Sequence, residues 1–147
     1  MILSPDRVAA IATARADKPK MRERDLANVL KSKGVAVGDR VLMLSENCNL
    51  AVATLFACWK MGAIAIPVNA RQTASEVDRI VAHATPAAFV MTSEVSSDAE
   101  AHAIRLGATI HSGAYGDAHI AVASASNPFN DDRIAVLLYT TGTTGDP

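Results

Sequence analysis

The apolar run over residues 50–68 constrains the chain more than any other stretch. It approaches the roughly 20 residues that a helix needs to span a bilayer. Lys60 falls at its centre, where membrane insertion would cost about 2.5–3.5 kcal/mol, and Gly62 and Pro67 interrupt it. A helix over residues 50–61 closed by Gly62, followed by a buried strand over 63–68, accounts for the same residues without that cost. The chain is therefore expected to be soluble, with no membrane span.

The same alternation of helix and strand continues on both sides of this unit. Ser4-Pro5-Asp6 is a helix start, leading into a helix over 7–16. Leu26, Val29 and Leu30 mark the apolar stripe of a second helix that stops at Gly34. Residues 40–44 read as a short buried strand after a Gly38-Asp39 turn. Thr73-Ala74-Ser75-Glu76 has the pattern of a capping box, so a helix runs from there to about Ala84, where Pro86 follows. A strand over 87–91, a helix over 98–106 capped by Gly107, and a strand over 108–111 come next. Residues 112–132 are small and polar and read as an exposed connection. Residues 133–139 then form a strand apolar on both faces, of the kind found inside parallel sheets covered on two sides. The expected fold is α/β: three layers, with a mostly parallel sheet flanked by helices.

Composition narrows the functions. One core suffices for 147 residues, since a domain of this size buries roughly 68–70% of its unfolded surface. Fourteen basic and fifteen acidic residues leave a formal net charge of -1, without the positive excess that a nucleic-acid partner requires. Cys48 and Cys58 are too few for a disulfide framework and fall in one expected helix about 15 Å apart, so they read as free thiols of a reduced, cytoplasmic chain. His83, His102, His111 and His119 stand singly, with no spacing that makes a metal site.

Chemistry concentrates at the end of the sequence, in Tyr139-Thr140-Thr141-Gly142-Thr143-Thr144-Gly145-Asp146-Pro147. Gly142 and Gly145 let the backbone approach a ligand closely, and the hydroxyls of Thr140, Thr141, Thr143 and Thr144 add donors beside the backbone amides. Such a loop, at the carboxyl end of a strand in an open α/β sheet, offers the convergent donors that a polyphosphate needs. It is not the Walker pattern, because Gly145 follows Gly142 too soon and no lysine comes after it. From chemistry alone, a plain Thr/Gly-rich turn between strands explains these residues equally well.

The motif resembles the phosphate-binding signature of the adenylate-forming superfamily, which runs aromatic, Thr/Ser, Ser, Gly, Thr/Ser, Thr, Gly, any residue, Pro, Lys, Gly. Thr141 replaces the serine and keeps the hydroxyl. Gly34-Val35-Ala36-Val37-Gly38-Asp39-Arg40-Val41 is similar to that family's turn into its first strand. Trp59-Lys60-Met61-Gly62-Ala63, Ile66-Pro67-Val68-Asn69 and Arg71 resemble its next conserved-order stretch. Two departures stand out: the segment before the helix at Leu26 is shorter than the family's, and family members extend much further, to a substrate pocket and a mobile C-terminal domain.

The resemblance implies an ATP-dependent carboxylic acid–CoA ligase that makes an acyl-adenylate and then a thioester. ATP, Mg2+, coenzyme A and a small-molecule carboxylate would be its partners. Thr140, Thr141, Gly142, Thr143, Thr144 and Gly145 would hold the ATP phosphates, and Arg71 would approach the coenzyme A entrance; a solvent-facing arginine beside a helix is the plainer reading of Arg71. Trp59 and Met61 read as core residues. By the same resemblance, residues 1–147 are the N-terminal part of the large AMP-binding domain. They lack its remainder, its C-terminal lid domain and any catalytic residue, and are expected to be inactive alone. Two other readings stay open: a non-catalytic nucleotide-binding module, and a structural fragment whose unfinished sheet pairs with another chain, including a second copy in a homo-oligomer.

Overall fold

A computed structural model describes residues 23–123, 127–129 and 133–139. The expected helix over 7–16 and the motif residues 140–147 lie outside the described residues. The described chain begins with α1 (Glu23–Ser32), whose Leu26, Ala27 and Leu30 are buried. Lys31 sits in its last turn, and Gly34 follows at φ +93, the left-handed conformation that lets the chain reverse. Next come β1 (Arg40–Ser45), α2 (Asn49–Met61), β2 (Ile64–Asn69), α3 (Ala74–Ala84), β3 (Ala88–Met91), α4 (Ser97–Arg105), β4 (Thr109–Gly113) and β5 (Gly116–Val122).

The strands form one sheet in the order β2-β1-β3-β5-β4. β1 pairs in parallel with β2, Arg40 opposite Ile64, and with β3, Val41 opposite Ala88. Successive residues of a strand face opposite sides, and both sides of β1 are covered. Val41 and Met43 join the α1 and α2 side chains in one core, which includes Leu26, Leu30, Ala57 and Cys58. Leu42 and Leu44 join α3 and α4 in a second core, with Val77, Ile80, Ala99 and Ala103. The result is the expected three-layer α/β fold.

Local chemistry sets the element ends. Gly62, at φ 73, caps α2 with its amide directed to the Cys58 and Trp59 carbonyls. The Thr73 side chain accepts from the Glu76 amide while Glu76 reaches back to the Thr73 amide, completing the expected capping box. Glu76 is held below the usual carboxylate range, first by the hydrogen bond from the Thr73 side chain and then by that from its backbone. In the turn before β1, Asp39 is buried and accepts from the Ala36 amide at 2.8 Å. Its carbonyl accepts from Ile64, and Gly38 donates to Gly62, which ties the starts of β1 and β2 together.

Two expectations need correction. The segment read as an exposed connection contains β5, which lies between β3 and β4 and is antiparallel to both. A two-residue loop closed by the Gly113–Gly116 pair turns β4 into β5, and Gly116 takes φ +97 there. β5 was hidden because much of its apolar surface is alanine: Ala118 and Ile120 face the first core, and Ala121 faces the second. Residues 133–139 are also not an interior strand. They lie outside β2, joined to it by one parallel bridge between Val136 and Ala65, and Leu138 is 69% exposed.

The chain returns to that edge past Gly38. The Phe129 amide donates to the Gly38 carbonyl at 2.9 Å, and a Cβ on Gly38 would stand 2.6 Å from the Phe129 carbonyl oxygen. Gly34 also has positive φ but faces open space. Alanine at either position meets backbone strain, and only at Gly38 does it also meet a carbonyl. Gly38→Ala is therefore expected to lower unfolding stability by about 1 kcal/mol more than Gly34→Ala, read from urea midpoints. Equal losses would show that the 127–129 return does not hold this turn.

Candidate functional site

The carboxyl ends of the parallel strands carry a polar rim. Thr92, which follows β3, is buried, and its hydroxyl accepts from the Glu46 amide at 3.0 Å. Its own amide donates to the Leu44 carbonyl at 3.2 Å. The loops after β1 and β3 are thereby fixed to one another. After β2, Asn69 Oδ1 accepts from the Arg71 amide at 2.9 Å, a side-chain-capped turn of the kind that asparagine favours. The Gln72 carbonyl is bonded to His102 Nε2 at 2.9 Å, so α4 fixes this loop from the other side.

Arg71 lies on this rim. Its Nε meets Glu46 Oε1 at 2.9 Å, and the side chain is 72% exposed. A pair this open adds little stability; Arg71 and Glu46 line a cleft of about 340 Å³ with Asn47, Val95, Ser96, Ser97 and Asp98, the last two in the first turn of α4. Sequence reading selected Arg71 but not its partner: Glu46 lies 25 residues upstream, and nothing local marks it. The other selected residues, Thr140, Thr141, Gly142, Thr143, Thr144 and Gly145, lie outside the described residues. Among the described residues, no three His, Cys, Asp or Glu side chains are grouped to hold a metal ion, and no helix is long and apolar enough to cross a membrane.

The segment leading to the motif is attached at three places. Ala65 donates to the Ala135 carbonyl at 3.1 Å and accepts from Leu137 at 2.9 Å. Trp59 Nε1 donates to the Ala135 carbonyl at 3.2 Å. Tyr139 Oη and His83 Nδ1 share a hydrogen bond of 2.6 Å, and their rings meet edge-on at 5.7 Å. Burial pushes the Tyr139 phenol above its ordinary value, against the opposing charge of Arg40, which keeps the hydroxyl proton in place. Trp59 is thus not the core residue expected: it is 43% exposed and packs edge-on against Phe56 at 5.2 Å, whereas Met61 is buried. His83 was missed because a lone histidine gives no sign of a partner 56 residues away.

Both cysteines are free, as expected. They do not share a helix as expected: Cys48 precedes α2 in extended conformation and is partly buried, whereas Cys58 lies within α2 and wholly in the first core.

A mixed sheet whose parallel strands are covered on both faces, with polar loops gathered at their carboxyl ends, defines an α/β domain of the open-sheet class. The chain belongs to the AMP-binding enzyme family, whose sequence pattern matches residues 19–147. It is similar to feruloyl-CoA synthase of Amycolatopsis sp., 33% identical over 122 residues that make up 83% of this chain and 24% of that protein. It is also similar to 2-succinylbenzoate–CoA ligase of Oceanobacillus iheyensis, 29% identical over 126 residues, 86% of this chain and 26% of that protein. Among solved structures, ATP-bound MatB from Rhodopseudomonas palustris matches with a TM-score of 0.59 and 31% identity, covering 85% of this chain and 26% of that one. The chain spans about a quarter of the length of these relatives.

Burial pushes the Cys58 thiol from 9.0 up to about 12. Below pH 9 the thiol is neutral in both folded and unfolded chains; above it, only the unfolded chain ionises it. Cys58 is therefore expected to contribute a fall in stability as pH rises from 9 towards 12, by up to about 1.4 kcal/mol per unit. Urea unfolding across that range should show a shallower decline in Cys58→Ala; identical slopes would contradict the burial.

Proposed function

We propose that this chain is the N-terminal part of an ATP-dependent carboxylic acid–CoA ligase. The observation that carries the reading is the Thr140–Gly145 motif within the family-matched region. Support also comes from the parallel alignment of the preceding segment with β2, by the Val136–Ala65 bridge, and from the printed activities of the relatives, feruloyl-CoA synthase and 2-succinylbenzoate–CoA ligase.

In this reading, a carboxylate oxygen attacks the α-phosphorus of ATP. The bond to the bridging oxygen breaks, giving an acyl-adenylate and pyrophosphate. The thiol of coenzyme A then attacks the acyl carbonyl, loses its proton and expels AMP. Amides and hydroxyls of Thr140, Thr141, Gly142, Thr143, Thr144 and Gly145 hold the β- and γ-phosphates as the leaving group, lowering the barrier by position and charge stabilisation. Mg2+ accompanies the ATP phosphates. Arg71, exposed on the rim, is the group available to an anionic part of coenzyme A.

A polypeptide of these 147 residues is expected to release no pyrophosphate above background when given Mg-ATP and a panel of carboxylates; turnover would contradict the reading. In the full-length protein, Thr143→Val is expected to lower kcat for carboxylate-dependent pyrophosphate release by about 10²-fold. An unchanged kcat would remove that hydroxyl from phosphate binding.

A further inference from the structure

The three attachments of residues 133–139 come from different layers. Trp59 belongs to α2, which covers the face of the sheet that holds the first core. His83 belongs to α3, on the opposite face with the second core. The backbone bonds to Ala65 lie between them, in the plane of the sheet. One parallel bridge is a weak anchor for an edge segment, since it leaves most of the segment's backbone groups unpaired with the sheet. The two side-chain bonds, at 3.2 Å and 2.6 Å, fix what the ladder does not. Tyr139 is both the last described residue and the aromatic position that opens the motif.

We propose that Trp59 and His83 are positioning residues that clamp the segment entering the Thr140–Gly145 motif from the two faces of the sheet, and so set the affinity for the ATP phosphates. Trp59 holds the Ala135 carbonyl, and His83 holds the Tyr139 hydroxyl one residue before the motif begins. This rests on the ligase reading above, and it deepens that reading by naming which groups outside the motif control ATP binding.

The test uses the full-length protein and the variants His83→Ala, His83→Asn, Tyr139→Phe, Trp59→Phe and the double variant of His83→Ala with Tyr139→Phe. Asparagine is chosen because its side-chain amide places a polar atom near the position of Nδ1. The first readout is hydrogen exchange at the Leu137 amide, which is bonded to the Ala65 carbonyl. His83→Ala, Tyr139→Phe and Trp59→Phe are each expected to speed it about 5-fold or more relative to core amides, and His83→Asn to restore much of the protection. The double variant should be no worse than the worse single, because both remove the same bond. The second readout is calorimetric binding of Mg-ATP and the KM values for pyrophosphate release. Mg-ATP affinity should fall about 5- to 10-fold, while KM for the carboxylate stays unchanged.

Unchanged Leu137 exchange in His83→Ala and Trp59→Phe would overturn the clamp. Faster exchange with unaltered Mg-ATP affinity, or with both KM values rising together, would leave a merely structural attachment and overturn the positioning role. A parent protein that binds no Mg-ATP would overturn the ligase reading and this role together, and the exchange data would still decide whether the clamp itself exists.

Discussion

Burial of β1 on both faces is the constraint from which the rest of the structure follows. Val41 and Met43 enter one core and Leu42 and Leu44 the other, each of them 0–2% exposed. A strand sheltered in this way has no free face for polar chemistry. Helices must cover both sides, and parallel neighbours on both edges require each connection to cross back over the sheet. Only the strand ends remain for function. At the amino ends, Asp39 and Gly38 are engaged in tying turns together. At the carboxyl ends, Glu46, Arg71 and Thr92 form a rim in which a partly buried hydrogen bond joins the loops after β1 and β3 and a charged side chain is left in solvent.

Much of this fold can be read from local signals. The helix over residues 50–61 and its Gly62 cap, the capping box at Thr73, and the strands around Leu42 and Ile66 each follow from patterns a few residues long. What cannot be read depends on neighbours. β5 was missed because Ala118 and Ala121 carry little apolar weight in the sequence, although both are buried by the sheet beside them. Residues 133–139 were misplaced for the opposite reason. An apolar run at an edge has the same pattern as one in the centre, and only the single bridge to Ala65 and the exposure of Leu138 distinguish them.

The candidate site divides in the same way. The motif is legible from its glycines and threonines together with resemblance, and Arg71 from resemblance alone. The partners that hold the surrounding chain were not, because Glu46 with Arg71 and His83 with Tyr139 meet across 25 and 56 residues. Trp59 shows the ambiguity within one residue type: a tryptophan in an apolar helix suggests core packing, yet its indole N–H reaches the edge segment. Family membership fits this geometry, since residues 19–147 match from before α1 through the motif. Residues 133–139, which lead to the motif, lie beside β2 and are joined to it by a parallel bridge.

A crystal structure of the full-length protein with Mg-ATP tests the central claim most directly. The expected result has β- and γ-phosphate oxygens about 2.7–3.2 Å from amides and hydroxyls of residues 140–145, with residues 133–139 still lying along β2. Phosphates bound elsewhere, with those amides hydrogen-bonded within the protein, would contradict it.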